Sequence, residues 1–395
     1  MLSLNNKKPK ILHITAGFAI AGPLGGIERF GIQLVEAFDQ QLLEPILCGL
    51  WDFQTDQEEP WLSYLREKNI SAFTATIWKE KQPYRSFWDA ITNIPQKITM
   101  PIDIIHSHSE FGDVGAIILR KKLRAKYILR TVHNEREWKR RPLRRNILTN
   151  LLYPFVFSHE FAVSNIIGKQ LNQRFSARLL QKKSPVIYNA INFDRFKLTT
   201  EFSKKYISSI WNIPQYAKLI ISIGRLTEQK GYRFLLDAMF EIQKTRKDIH
   251  LVLIGEGELK RNLQAYSEKL KISQFVHFAG KRNDIENLLP HFDVFVSSSL
   301  WEGLPTVLLE SIAARVPIIG TQVSGTTEII CHEKNGLLVP PKDSIALSQA
   351  IITLLNNPEK AKIMAEQAYH DAIQKFSISS IANQYQKFYG NLLNT

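Results

Sequence analysis

The chain has 395 residues, of which 44% are hydrophobic and 22% are charged, and its formal net charge is +14. This length exceeds what one hydrophobic core usually supports, and the composition excludes a disordered or low-complexity chain. Cys48 and Cys331 are the only cysteines, which argues against a disulfide framework or a zinc site and favours a reducing compartment.

The lysines near the start precede only a short apolar run, about half the length of a signal-peptide core, which predicts a first strand. No stretch approaches the roughly 18 consecutive apolar residues of a membrane span. We therefore expect a cytoplasmic protein, either free or attached peripherally to the inner face of the plasma membrane.

Short β-rich runs alternate with helical patterns along the chain, which indicates parallel sheets covered by helices. A polar stretch, residues 191–218, separates two α/β units. We predict an N-terminal domain of residues 1–199, a C-terminal domain of residues 200–375, and a helix in residues 376–395 that crosses back to the first domain. The predicted strands are residues 11–15, 45–51, 102–106, 127–132, 161–164 and 186–189 in the first half, and 219–223, 251–254, 276–279, 294–297, 316–319 and 336–339 in the second.

Candidate ligand-binding residues of the first half follow predicted strands, where open parallel sheets bind ligands. Gly25 and Gly26 lead into a helix predicted to start near Ile27, so their backbone can approach an anion. His108 follows the third strand, and His133 ends the fourth. A glycine turn shaped for packing and two structural histidines would explain the same residues without a ligand.

Basic residues are concentrated between residues 120 and 145, which carry twelve Lys or Arg against Glu135 and Glu137. In the segment 136–157 the arginines are mixed with apolar residues at helical spacing from residue 143 onward. This pattern is typical of a cationic amphipathic segment in a membrane interface. A solvated basic helix with its apolar face in the core fits the pattern too.

In the second half, Arg225 and Lys230 lie in GRLTEQKG, between the end of a strand and the start of a helix. Two cations at the carboxyl end of a strand suit a diphosphate. A solvated charged loop is the alternative.

The stretch SSSLWEGLPTVLLE places Glu302 in a Gly/Pro turn and Glu310 in an apolar helix, with Pro305 predicted in its first turn. The helix amides can bind phosphates while carboxylates accept hydrogen bonds from sugar hydroxyls. In the alternative interpretation Glu302 is only a charge at the first turn of the helix, and Glu310 is a solvent-facing residue. The predicted donor-binding residues here are Glu302, Gly303, Leu304, Thr306, Val307 and Glu310.

EGLPTVLLE, ISIGRLTEQKG, VLIGEGELK, HFAGKRNDI, VSGTTEII and NGLLVP together strongly resemble the retaining family 4 glycosyltransferases of GT-B fold. The resemblance covers nearly all of residues 218–355. In the first half it consists of GGIERF, IIHSHSEFG and VIYNAINFDRF. The family is that of enzymes of bacterial cell-surface polysaccharide synthesis.

This resemblance implies two facing Rossmann-like domains with an interdomain cleft, and a nucleotide-sugar donor, UDP-linked, held mainly by the second domain. Arg225 and Lys230 would contact the donor diphosphate, Glu310 the ribose and Glu302 the transferred sugar. Gly26 would lie against the phosphate and His108 near the sugar, while His133 is our candidate for the acceptor. The expected catalytic residues are Glu302, Arg225, Lys230 and His108.

The resemblance also implies a metal-independent, retaining hexosyltransferase that uses a nucleotide sugar as co-substrate and needs no cofactor. We find no DxD triplet or His/carboxylate cluster suited to magnesium or manganese. The expected acceptor is a glycan or a lipid-linked sugar. Two positions depart from the family pattern: the segment from Asn189 to Asn192 replaces Asn-Gly-Val-Asp, and Trp301 replaces a small residue.

Three other functions remain open on the sequence alone. A GT-B phosphorylase or nucleotide-sugar epimerase would share the fold, although the epimerase would need further acid/base groups at the sugar. A basic nucleic-acid-binding protein would use the arginine segment, but that segment lacks regular aromatic interleaving, so we expect no nucleic-acid partner. A pseudoenzyme would not need Arg225, Lys230, Glu302 and Glu310 intact.

Overall fold

The computed structural model describes residues 8–18, 26–56, 58–134, 143, 146–196 and 203–394. These residues fall into two units, one built from the described parts of residues 1–190 and 378–395 and the other from those of residues 191–377. The expected boundary at residue 199 lies beyond the observed one. Residues 191–196 belong to the second unit because Ile191 pairs with Ser377 in an isolated bridge and Arg195 forms an ion pair with Glu286 at 2.9 Å.

The first unit contains a six-stranded parallel sheet with the strand order β3-β2-β1-β4-β5-β6. Its strands are β1 (Lys10–Thr15), β2 (Glu44–Asp52), β3 (Ser71–Ile77), β4 (Ile104–Ser107), β5 (Tyr127–Val132) and β6 (His159–Ala162). Its helices up to residue 190 are α1 (Gly26–Ala37), α2 (Glu58–Glu67), α3 (Pro83–Lys97), α4 (Glu110–Lys122), a π-helix (Asn146–Leu152), α5 (Tyr153–Val156), α6 (Asn165–Gln173) and α7 (Phe175–Leu179).

The central strands of this sheet are buried on both faces, which explains their continuous apolar sequences. Ile11 and Leu12 point to opposite faces of β1, and both are fully buried, Ile11 in a cluster with Phe30 and Leu12 in a cluster with Phe87. Helices therefore cover the sheet on both sides.

Two predicted features of this sheet are wrong. Strand β3 was not predicted, because it is an edge strand whose sequence SAFTATI mixes polar and apolar residues and is mostly only half-buried. Residues 186–189 do not form a strand, since only Val186 makes a bridge, to Ala162, where β6 ends. The neighbouring strand offers no further residues for pairing.

The second unit repeats this architecture with the order β12-β11-β10-β7-β8-β9, and all six of its predicted strands are present. The strands are β7 (Lys218–Ile223), β8 (Ile249–Ile254), β9 (Val276–Gly280), β10 (Val294–Ser297), β11 (Ile318–Thr321) and β12 (Leu337–Val339). The helices are α8 (Lys204–Ile210), α9 (Tyr232–Gln243), α10 (Lys260–Lys269), α11 (Ile285–Leu288), α12 (Thr306–Ala313), α13 (Ser324–Thr327), α14 (Ser344–Asn356) and α15 (Pro358–Phe376).

The last helix, α16 (Ile378–Leu393), belongs to the first unit. It packs on α1, and the side chain of Gln386 accepts a hydrogen bond from the backbone N–H of Asp39 at 3.2 Å. Tyr385 and Tyr389 are fully buried and reach Thr131 and His106. The C-terminal segment thus completes the core of the first unit.

Among the helices described, none is both long enough and apolar enough to cross a bilayer.

Candidate active site

Each sheet changes its winding direction between two neighbouring strands, and these switch points bring the predicted site residues together. In the second unit the switch lies between β7 and β10, which pair in parallel. The chain leaves β7 into the loop with Arg225 and Lys230, and it leaves β10 into the loop with Glu302. Because parallel strands end at the same edge, the two loops meet there.

Lys230 and Glu302 form a direct ion pair at this edge. Their Nζ and Oε1 atoms are 2.5 Å apart, and the side chains are 18% and 7% exposed. Glu302 Oε1 also accepts a hydrogen bond from the Ser299 hydroxyl at 2.7 Å, and Gln229 Nε2 lies 3.4 Å from Oε2. The charge of Glu302 is therefore balanced by a lysine 72 positions away in sequence.

The two loops are held together by backbone contacts that require a glycine. Gly231 has a φ of +60°, and a Cβ there would lie 2.2 Å from the carbonyl oxygen of Ser298. The Ser298 hydroxyl donates to the Lys230 carbonyl at 2.8 Å, and the Leu300 N–H donates to the Gln229 carbonyl at 2.7 Å. Glycine thus lets the lysine loop approach the glutamate loop closely.

A third loop supports Glu302 from the other side. The backbone carbonyl of Glu302 accepts hydrogen bonds from the Ser324 hydroxyl at 2.7 Å and from the Gly325 N–H at 3.2 Å. A Cβ on Gly325 would lie 2.2 Å from the carbonyl oxygen of Gly303. The Ser-Gly pair after β11 therefore fixes the backbone of the glutamate turn.

Helix α12 begins directly after this turn. Pro305 occupies the N-cap position, one residue earlier than the first-turn position predicted, and it has no polar side chain with which to cap the helix. Thr306 and Val307 are half-buried in the first turn. The N–H groups of this turn and the positive end of the helix dipole can receive an anion.

The remaining predicted donor-binding residues lie along the same loops. Arg225 is exposed at the start of the lysine loop, and Gly303 and Leu304 follow Glu302 in its turn. Glu310 lies inside α12 and is buried, with 4% of the residue exposed, so it is not the solvent-facing charge of the alternative interpretation. The structure brings Lys230 and Glu302 into contact, and the others lie in the same two loops and in α12.

In the first unit the switch lies between β1 and β4, where His13 and His106 are register partners. His108 follows β4 and is 1% exposed, with its Nε2 3.0 Å from His13 Nδ1 and its Nδ1 3.5 Å from His133 Nε2. His133 Nδ1 lies 3.0 Å from Asn189 Oδ1. His108 and His133 are thus linked in one chain of buried imidazoles.

Burial keeps these imidazoles neutral. It lowers the pKa of His13 to about 3 and that of His133 to about 4, against an ordinary value of 6.5. Burial and the neighbouring histidines hold the pKa values of His106 and His108 well below 6.5. A neutral His108 can donate or accept a hydrogen bond but carries no charge near neutral pH.

His13, His106 and His108 place one ring nitrogen each within 4.8 Å of one another, as a metal site would. Both ring nitrogens of His106 are already engaged, with Tyr389 Oη at 2.6 Å and Thr131 Oγ1 at 2.8 Å. No carboxylate belongs to this group of three to offset a buried cation. We therefore interpret the cluster as a hydrogen-bond network.

Sequence reasoning missed several residues of the two sites. Gln229, Ser299 and Ser324 hold Glu302, and His13 holds His108. All four lie in stretches that the sequence analysis considered, namely GRLTEQKG, SSSLWEGLPTVLLE, VSGTTEII and the first strand KILHIT, but the pairing of distant strands was needed to connect them with Glu302 and His108. Gly25 and the loop of residues 19–25 lie outside the described residues, while Gly26 is exposed at the start of α1.

The two halves of the chain match two glycosyltransferase families. The family described as Glycosyltransferase Family 4 matches residues 24–195, and the family described as Glycosyl transferases group 1 matches residues 203–371. The chain is a family 4 type glycosyltransferase. The resemblance inferred from the sequence motifs is thereby confirmed.

This glycosyltransferase is similar to two curated proteins along most of its length. It is 28% identical over 293 residues to the uncharacterized glycosyltransferase MJ1059 of Methanocaldococcus jannaschii, and the aligned region covers 70% of each chain. It is 22% identical over 396 residues to the UDP-Gal:alpha-D-GlcNAc-diphosphoundecaprenol alpha-1,3-galactosyltransferase of Escherichia coli, and the aligned region covers 97% of each chain.

The fold of the glycosyltransferase is shared with solved structures. The Anabaena protein HepE, crystallised in complex with UDP and glucose, superposes with a TM-score of 0.80 at 18% identity, over 97% of this chain and 100% of HepE. The predicted α/β fold of GT-B type is confirmed.

Proposed function

We propose that this glycosyltransferase transfers a hexosyl unit from a UDP-linked sugar to a glycan or lipid-linked acceptor in the synthesis of cell-surface polysaccharide or lipopolysaccharide. The observation that carries the proposal is the contact between Lys230 and Glu302 at the switch point of the second sheet. The E. coli relative, named as a galactosyltransferase acting on a diphosphoundecaprenol-linked sugar, supports the choice of donor and acceptor.

In this proposal the ion pair between Lys230 and Glu302 opens when the donor binds, and each residue then contacts a different part of the donor. The Lys230 ammonium turns to the diphosphate, and the Glu302 carboxylate accepts hydrogen bonds from the hydroxyls of the transferred sugar. In the structure Lys230 and Glu302 neutralise each other's charge, which limits the cost of their partial burial. Binding exchanges one ion pair for two charge-assisted contacts.

The leaving nucleoside diphosphate gains negative charge as the glycosidic bond breaks. Lys230, Arg225 and the N-terminal amides of α12 would stabilise this charge, and one such donor can contribute about 3 kcal/mol. We propose that the protein needs no metal ion for this step, because its own cations and amides would take up the charge of the diphosphate. Glu310 would bind the ribose hydroxyls.

We further propose that the reaction retains the anomeric configuration, with the acceptor attacking from the face that the leaving group vacates. No protein nucleophile is assigned. His108 would contact the sugar and His133 the acceptor, both as neutral imidazoles, because burial lowers the pKa of His133 to about 4 and holds that of His108 well below 6.5.

A lipid-linked acceptor is embedded in a membrane, so we propose that the protein binds the cytoplasmic face of the membrane peripherally. The segment 136–157 is the proposed contact because its sequence combines arginines with apolar residues. Residues 135–142, 144 and 145 lie outside the described residues. The part that is described carries exposed apolar side chains, including Ile147 and Leu151.

The decisive experiment measures turnover and nucleotide binding separately. Glu302→Ala should lower the rate of UDP release from UDP-galactose, UDP-glucose or UDP-N-acetylglucosamine by about 100-fold or more, in the presence of polyprenyl-diphosphate-linked sugars. It should not weaken the binding of UDP by more than about threefold, because UDP lacks the sugar that Glu302 contacts and Lys230 stays available to the diphosphate.

Glu241→Ala is the matched control, because Glu241 also pairs with a lysine, Lys244, at 2.7 Å but lies near the end of α9, outside the two loops of the candidate site. This variant should keep the wild-type rate. Wild-type turnover by Glu302→Ala, or an equal loss in both variants, would refute the assigned role of Glu302.

A further inference from the structure

Two short helical segments of the first unit expose large apolar side chains next to each other. One segment is the π-helix Asn146–Leu152 with α5, and the other is α7. Phe175 and Leu179, at the two ends of α7, are 78% and 64% exposed. On the first segment the exposed side chains are Ile147 at 50%, Leu151 at 59%, Leu152 at 39% and Phe155 at 56%.

The two segments are fastened into one surface. Arg174, just before α7, donates to the Thr149 carbonyl at 2.6 Å, and the Ser176 hydroxyl donates to the Asn150 carbonyl. Lys182, after α7, donates to the carbonyls of Pro154 and Phe157, each at 2.9 Å. These bonds tie α7 and its flanking residues to the middle and the end of the first segment, so the two segments lie side by side and their exposed side chains form neighbouring parts of one surface.

The inward side of this face is anchored in the core, which explains why its apolar side chains point outward. Tyr153 and Phe157 are at most 1% exposed, and the buried Arg130 guanidinium lies 4.4 Å from the centre of the Tyr153 ring. The core under the first segment is therefore filled by aromatic residues. The interpretation of the apolar stripe as a core face does not hold for Ile147 and Leu151.

The charge around the face is positive. Lys169, Arg178 and Lys183 are exposed on or beside the two helices. Glu160 is the one acidic residue between residues 146 and 183, and it is buried in ion pairs with Arg130 and Arg174.

We infer that α7 is a second membrane-insertion element, and that Phe175 and Leu179 enter the interface of an anionic bilayer together with the apolar side chains of the first segment. This inference rests on the peripheral membrane binding proposed above and assigns part of it to residues outside the segment 136–157. Among residues 146–183 the exposed apolar side chains occur together with exposed cations and no exposed acid, which matches an anionic lipid surface better than a neutral protein partner.

The contribution of α7 should be large enough to measure. Moving a phenylalanine or leucine side chain from water into an apolar environment is favourable in proportion to the apolar area removed from water. Since both side chains start largely exposed, we expect Phe175→Ser with Leu179→Ser to weaken vesicle binding by at least 10-fold. Both positions are surface-exposed, so the double variant should fold normally.

The experiment is sedimentation of the full chain with vesicles of phosphatidylcholine and phosphatidylglycerol, compared with vesicles of phosphatidylcholine alone. The matched control is Ile345→Ser with Ile363→Ser, because these side chains are 52% and 70% exposed in the second unit. Thermal melting and binding of UDP are measured for each variant. We expect wild type and control to bind the anionic vesicles equally and the α7 double variant to bind at least 10-fold more weakly, with UDP binding unchanged.

Each other outcome has a distinct meaning. If the α7 variant binds vesicles like wild type while Ile147→Ser with Leu151→Ser loses binding, the inference about α7 fails and the proposed membrane contact through residues 136–157 stands. If wild type does not bind anionic vesicles, both fail. If the α7 variant instead dissociates a wild-type dimer in size-exclusion chromatography, a second copy covers this face and the inference is overturned.

Discussion

The buried histidines of the first unit should make it acid-labile. His13, His106, His108 and His133 are at most 7% exposed, and burial lowers the pKa of each below the ordinary 6.5. In the unfolded chain the same side chains titrate near 6.5. As the pH falls through 6.5, the unfolded state therefore binds protons that the folded state does not.

The magnitude follows from proton linkage. At pH 5.5, protonation stabilises each histidine of the unfolded chain by about 1.4 kcal/mol, so the four together lower the free energy of unfolding by on the order of 5 kcal/mol. This is comparable with the whole stability of many domains. The loss begins near pH 6.5 and continues until the folded histidines titrate, near pH 4 for His133 and pH 3 for His13.

The assay is urea unfolding between pH 7.5 and 5.5, followed by hydrogen-exchange mass spectrometry of peptides that cover β1 and β4. His13→Gln should reduce the slope of the unfolding free energy against pH by about 1 kcal/mol per pH unit around pH 5.5. His370→Gln, at an exposed position of α15, is the control for replacing a histidine outside the buried cluster. An unchanged slope in His13→Gln would show that His13 is protonated in the folded state, and the reasoning would be refuted.

Two further predictions concern the loops of the candidate active site. In a double-mutant cycle of Lys230→Met and Glu302→Gln, each single change should lower the free energy of unfolding by about 2 kcal/mol, and the double variant should lose at least 1 kcal/mol less than their sum; purely additive losses would rule out the ion pair. Gly231→Ala should cost about 2–4 kcal/mol, because its φ is +60° and the new Cβ would lie 2.2 Å from the Ser298 carbonyl. Gly390→Ala, where no atom lies within 4 Å of the new Cβ among the described residues, should not destabilise, and equal melting temperatures of the two variants would contradict the close loop contact.

Much of the fold could be predicted from the sequence because parallel strands buried on both faces are short, continuous apolar runs. This holds for β7, β8, β10 and β11 of the second unit, which are buried along most of their length. It does not hold for β3, whose edge position leaves it half-buried and mixed in sequence. A run such as residues 186–189 looks like a strand whether or not its neighbour is long enough to pair with it.

The sequence predicted which residues belong to the candidate site but not which of them contact each other. The rule that ligands bind at the carboxyl ends of parallel strands pointed to Lys230 and Glu302 separately. Their ion pair depends on β7 lying beside β10, which the local sequence does not encode. His13 was missed for the same reason, since its partner His108 follows β4.

The orientation of the apolar stripe in residues 143–152 could not be predicted either. Helical spacing of apolar residues is the same whether the stripe faces the core or the solvent. The outcome depends on Tyr153 and Phe157, which fill the core and leave Ile147 and Leu151 outside. Only the tertiary structure also shows that α7 lies against this segment.

The proposed donor site is tested most directly by thermal unfolding with nucleotide sugars. A UDP-sugar that binds the native protein should, at about 100 times its dissociation constant, stabilise it by about 2.7 kcal/mol and raise the melting temperature by roughly 5–10 °C. Lys230→Met should lose most of this shift, because the diphosphate loses its cation. If UDP-galactose, UDP-glucose and UDP-N-acetylglucosamine all leave the wild-type melting temperature unchanged, or shift wild type and Lys230→Met equally, the site does not hold the donor as proposed.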